Sequence, residues 1–154
     1  MRKFIIIFIL LPMLSFAQKE AKLIRDGNKL YKDGAFKDAE INYRKSLEIN
    51  KKSLKGEFNL ADALYELKDY KSSQQQFEAL SKKIEEPMQK AEAFHNLGNS
   101  LLAADKFQES IDAYKNALRN NPSDLDTKYN LEYARQKLDE QRVLTASQLW
   151  TYCL

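Results

Sequence analysis

The apolar positions of this chain fall into three patterns. Phe4 to Leu14 is an unbroken apolar run behind two cations, Arg2 and Lys3. From about residue 20 to 122 the pattern becomes that of paired helices. Small residues at 39, 73 and 110 are each followed four positions later by a large aromatic: Tyr43, Phe77 and Tyr114. That interval puts both on one helix face. After Pro122, Ser123-Asp124 offers an N-cap, and 125–142 reads as a last helix. Its Tyr129, Leu131, Ala134 and Leu138 turn to the body; Lys128, Glu132, Arg135, Gln136, Asp139 and Glu140 turn to water. The expectation is an all-α chain of seven helices without a strand.

Three segments repeat one another: Gly27-Asn28-Lys29-Leu30-Tyr31, Ala61-Asp62-Ala63-Leu64-Tyr65 and Gly98-Asn99-Ser100-Leu101-Leu102, at intervals of 34 and 37 residues. In a helical hairpin the small residue at 27, 61 and 98 lies where the first helix (A) presses on the second (B). A larger side chain there would push the two apart. Asp33-Gly34, Lys68-Asp69 and Asp105-Lys106 supply the turns, with Gly34 suited to a left-handed C-cap. Pro87 predicts the start of the third A helix, where a missing N–H costs nothing, and Pro122 ends the third B helix.

A period of 34 with this pattern resembles the tetratricopeptide repeat (TPR) family. The third segment carries most of the marker: Phe94, Leu97-Gly98, Leu101, Ser110, Tyr114 and Pro122. The first has Leu23, Gly27, Leu30, Ala39 and Tyr43, but Asp26 replaces the usual Leu and Lys51 the Pro. The second has Leu60-Ala61, Leu64, Ser73 and Phe77, with Glu57 at the large-residue position. The resemblance implies an all-α TPR helical-hairpin solenoid of three repeats (about 20–53, 54–90 and 91–124) with a capping helix at 125–142.

It also implies an inner wall built by the A helices. Arg25, Asn28 and Tyr31 come from the first repeat; Phe58, Asn59, Asp62 and Tyr65 from the second. His95, Asn96 and Asn99 come from the third, and Tyr129, Asn130 and Tyr133 from the cap. An Asn amide carries both donors and an acceptor, so recurring Asn suits the backbone of an extended peptide. The alternative is that these Asn bond neighbouring helices and the aromatics only pack. Some TPR domains clamp a chaperone's terminal carboxylates with two Asn and three cations. Asn28 and Asn59 match the two Asn, but Ile24, Glu92 and Asn96 stand at the cation positions. The resemblance therefore implies that a cytosolic chaperone carboxylate tail is not the partner.

The run Ala93-Phe94-His95-Asn96-Leu97-Gly98-Asn99, with Ala113–Asn120 and Tyr129-Asn130-Leu131, is similar to the TPR component of the Bacteroides aerotolerance (Bat) operon family. That resemblance implies an export signal, an envelope location and a partner that is a membrane protein with a von Willebrand A domain.

Composition narrows the function. Arg2, Lys3, the apolar run and Ser15-Phe16-Ala17 form a secretory leader over 1–17, giving a mature start at Gln18, or an N-terminal anchor if uncleaved. The expected site is periplasmic or envelope-associated. Of 25 basic residues two lie in that leader, leaving 23 against 22 acidic. This gives no electrostatic case for nucleic acid. Cys153 is the only cysteine, so no internal disulfide forms. The apolar end, 143–154, departs from the charged tails of the Bat family and reads as a docking segment, a binding peptide or a truncated reading frame. One His, no metal-spaced cluster and no Gly-rich phosphate loop argue against an enzyme, a cofactor or a small-molecule substrate. Glu85-Glu86 reads as a solvated charge pair. The expected function is an adaptor that holds a partner's peptide or helix. The alternative is an assembly factor acting through its convex face or termini.

Overall fold

The computed structural model describes the backbone of residues 2–152 and the side chains of residues 17–146 and 148. The side chains of the expected leader before Ala17, and Cys153 with most of the apolar end, lie outside the described residues. The described residues form seven α-helices and no strand: α1 (Arg2–Lys32), α2 (Phe36–Ile49), α3 (Leu54–Glu66), α4 (Tyr70–Lys83), α5 (Pro87–Leu102), α6 (Phe107–Asn120) and α7 (Leu125–Tyr152). The expected all-α fold of stacked hairpins is the one observed. Two helices are longer than the sequence suggested. No backbone break separates the leader from the first A helix in α1, and α7 continues past Arg142. Among the described residues no helix is long and apolar enough to cross a membrane.

The chain divides into two compact units, 1–69 and 70–154. In the first, α2 packs between α1 and α3 around Ala39, Tyr43, Leu60, Ala63 and Leu64. The small residue at 27 works as expected. A Cβ on Gly27 would lie 2.6 Å from Tyr43 Cε1, below any contact real side chains make. In the second unit Ile111, Tyr114, Leu131 and Ala134 form the core between α6 and α7. There a Cβ on Gly98 would lie 2.5 Å from Tyr114 Cδ1 and 2.9 Å from Cζ. Each tyrosine ring therefore presses closely on the glycine of its partner helix.

The helix ends follow from local chemistry. α1 closes with a Schellman pair, Ala35 N–H to Leu30 O and Gly34 N–H to Tyr31 O, with Gly34 at φ 76°. The same two bonds close α3 around Lys68 and α5 around Asp105, both at positive φ. Pro87 is the first residue of α5. Glu86, expected to be only a solvated charge, caps that helix by accepting from the N–H groups of Met88 and Gln89. Asp124 accepts from Thr127 N–H at the start of α7.

Candidate functional site

One hydrogen-bonded tie occurs in each unit. In the first, Tyr43 Oη donates to Asn28 Oδ1 at 2.9 Å, and Asn59 Nδ2 donates to the same oxygen at 2.8 Å. In the second, Tyr114 Oη donates to Asn99 Oδ1 at 2.7 Å, and Asn130 Nδ2 donates to it at 3.1 Å. The sequence intervals, 15 and 31 residues, are the same in both. A B-helix tyrosine thus fixes the asparagine of its own A helix, and that asparagine fixes the asparagine of the next A helix. Asn28, Asn59, Asn99 and Asn130 therefore bond neighbouring helices. Each tie still has capacity left over, because the two bonds shown engage the Oδ1 of Asn28 or Asn99 and one Nδ2 hydrogen of its partner. All four amides are half-buried.

Beside the first tie opens a cavity of about 200 Å³, lined by Asn28, Tyr31, Lys32, Tyr43, Asn59 and Asp62. Burial, with Asp62 adding to it, pushes the Tyr43 hydroxyl up to about 12, so it remains a donor at neutral pH. Tyr31 is raised further by burial and by Asp62 and Glu66. Its hydroxyl donates to Glu66 at 3.4 Å and its ring meets Phe36 edge-on at 5.1 Å. Arg25 is exposed, while Phe58 and Tyr65 are half-buried and do not line this cavity.

In the second unit His95 and Asn96 are half-buried, and Tyr129 and Tyr133 are exposed, with Lys137 Nζ 5.5 Å from the Tyr133 ring centre. His95 Nδ1 lies 2.6 Å from the hydroxyl of Thr127, and that hydroxyl donates to Asp124 Oδ2 at 2.6 Å. With its one proton on Asp124, Thr127 accepts from His95, which assigns the proton of the neutral ring to Nδ1 and leaves Nε2 a lone pair. A histidine base needs the opposite arrangement to activate a hydroxyl, and Thr127 is fully buried. Burial lowers the His95 pKa against the opposing pull of Asp124, Asp126 and Glu92. Asp124 is lowered too: burial works against its charge, but the Thr127 hydroxyl and N–H and then His95 outweigh it. Sequence reasoning placed neither Asp124 nor Thr127 beside His95. Nothing local in the sequence signals the contact, which crosses from α5 to the start of α7.

Residues 91–124 match the tetratricopeptide repeat family model. Among curated proteins none matches the chain. Solved structures share its fold. The first TPR of Spaghetti (RPAP3) bound to HSP90 peptide SRMEEVD superposes with TM-score 0.69 at 23% identity, over 79% of this chain and 94% of that one. The TPR2AB domain of yeast Sti1 in its pHSP90 complex gives 0.74 at 22%, over 84% and 51%. The second TPR domain of human RPAP3 with HSP70 peptide SGPTIEEVD gives 0.67 at 16%, over 79% and 96%. These structures correct one expectation. The sequence argued against a cytosolic chaperone carboxylate tail, yet proteins of this fold are solved holding HSP90 and HSP70 peptides. The count of cations at 24, 92 and 96 also omitted Lys32, which lines the cavity beside Asn28 and Asn59.

Proposed function

We propose that this chain, an all-α hairpin protein of the TPR fold, is a non-catalytic interaction module that holds an extended peptide along its A helices. The repeated tie of tyrosine to two asparagines carries this reading. Each tie immobilises an amide pair that keeps unused N–H donors on one asparagine and an unused acceptor on the other. A peptide bond presents the complementary acceptor and donor whatever its side chain. Holding the amides beforehand lowers the ordering cost of binding. The flanking wall residues Arg25, Tyr31, Phe58, Asp62 and Tyr65, and His95, Asn96, Tyr129 and Tyr133, supply side-chain preference. Solved domains of the same fold hold peptides, which supports the reading.

The leader over 1–17 supports an exported, periplasmic or envelope-associated protein, held by that segment if it is not cleaved. The similarity of the third repeat to the Bat component supports a place in a stress-related envelope complex. The test is an array of heptapeptides that includes SRMEEVD with free and amidated C-termini. Wild-type protein binds a defined subset, and Asn59→Ala, shown folded by circular dichroism, loses it. An array left blank, or the same subset bound by Asn59→Ala, contradicts the reading.

A further inference from the structure

The two units differ most at the head of the A helices. In the first, Asn50 Nδ2 donates to Glu20 Oε2 at 2.9 Å across 30 residues, so the chain's own side chain fills that place. The residue at the same interval before Asn121, the counterpart of Asn50, is Ala91. Where Glu20 lies in the first unit, the second has a cleft of about 290 Å³ lined by α5, α7 and the loop between α6 and α7. Asn121 Oδ1 accepts from Ser123, and its Nδ2 has no partner among the described residues.

The lining has become acidic as well as opened. Ala21, Ile24, Ser53 and Lys55 of the first unit correspond to Glu92, His95, Asp124 and Asp126 of the second. No Lys or Arg lines the cleft. Among the described residues the side chains of Glu92 and Asp126 enter no ion pair or hydrogen bond, His95 turns a lone pair on Nε2 to its surroundings, and Met88 gives an exposed aliphatic wall. A main-chain carbonyl satisfies Asn121, a cationic head satisfies the carboxylates, and a methylene stem covers Met88.

We propose that this cleft is a subsite for the cationic side chain of a bound protein segment, a lysine or arginine whose main chain meets Asn121. The proposal shares only His95 with the function proposed above. It is read at different atoms, so the two fail separately.

The experiment titrates the full chain with a capped Gly-Leu-Arg-Leu-Gly peptide and, as control, Gly-Leu-Gln-Leu-Gly. The ring signals of His95 and the side-chain amide signals of Asn121 are followed by NMR. The Arg peptide shifts both signals saturably and the Gln peptide does not. Ala91→Glu, which restores the first unit's plug, removes the shift. Glu92→Gln with Asp126→Asn, both exposed and harmless to packing, weakens binding about three- to tenfold. Equal shifts from the two peptides, no saturable shift, or unchanged binding by the Glu92→Gln/Asp126→Asn protein overturns the proposal. Movement of Asn28 and Asn59 signals instead reports on the amide tie of the first unit.

Discussion

The helices α1–α3 and α5–α7 are two versions of one design. Gly27 and Gly98 receive a tyrosine ring, Tyr43 and Tyr114 reach an asparagine, and Asn59 and Asn130 complete the bond. Even the turn is kept: Gly34 and Asp105 both hold positive φ, although only the glycine does so without strain. Around this frame the surfaces part. Lys32 and Asp62 stand where the second unit has Ala103 and Tyr133, while Ile24 and Glu20 stand where it has His95 and Ala91. The positions that make the tie are held fixed, and positions around it vary, buried ones such as Ile24 and Ala91 included. A residue's sameness across the two units therefore marks a packing duty, and its difference marks a position that the tie does not need.

The largest effect is expected at the glycines. Leu at 98 or 27 drives carbon into the facing tyrosine and costs about 1–3 kcal/mol, read as a fall in the thermal midpoint. Similar falls sharpen the equivalence, and an unchanged midpoint for Gly98→Leu breaks it. Next come the ties. Asn59→Ala or Asn130→Ala removes one of two bonds on a half-buried oxygen and costs about 0.5–1.5 kcal/mol by denaturant titration. A side chain that served only a ligand would cost almost nothing, so this measurement separates a combined duty from a groove-only one. Tyr43→Phe and Tyr114→Phe cost about as much.

The smallest effect is a pH dependence confined to the second unit. His95 titrates below its ordinary 6.5 in the fold, because burial disfavours the imidazolium. As pH falls from about 6.5 the unfolded chain takes the proton first. Stability is therefore full above that value and declines as pH drops to the folded pKa. Asp124 is depressed from 3.8 and contributes a separate loss further into acid. His95→Leu, apolar like Ile24 of the first unit, removes the decline just below 6.5. Stability measured between pH 7 and 5 checks this, and an identical decline in the variant contradicts it.

Much of the frame was legible in the sequence. The left-handed turn at Gly34, the start of α5 at Pro87 and the cap at Asp124 follow from short-range rules that act within a few residues, and the close approach at 27 and 98 follows from the repeat pattern of small and aromatic positions. Most of what sequence reasoning missed acts over longer range. The Tyr43–Asn28 and Tyr114–Asn99 bonds join two helices at an interval of 15 residues. That interval occurs twice, and its recurrence was the available signal. The recurring Asn suggested ligand contact because an amide is equally able to bond a peptide or a helix, and composition cannot choose between them. His95 looked isolated because its neighbours arrive from the loop that starts α7. Glu86 looked idle because a cap depends on side-chain direction as much as on residue type.

The central claim is that one set of amides both closes the helix stack and takes a peptide backbone. The most direct measurement follows the side-chain amide signals of Asn28, Asn59, Asn99 and Asn130 by NMR while a peptide selected from the array is added. In the free protein these signals are narrow and dispersed, as fixed amides should be. The pair of at least one unit then moves saturably, and Asn59→Ala weakens the binding read at the first unit's pair about fivefold to 150-fold. Saturable binding that leaves all four amides unmoved, with wild-type affinity in Asn59→Ala, would show that the ties serve the fold alone.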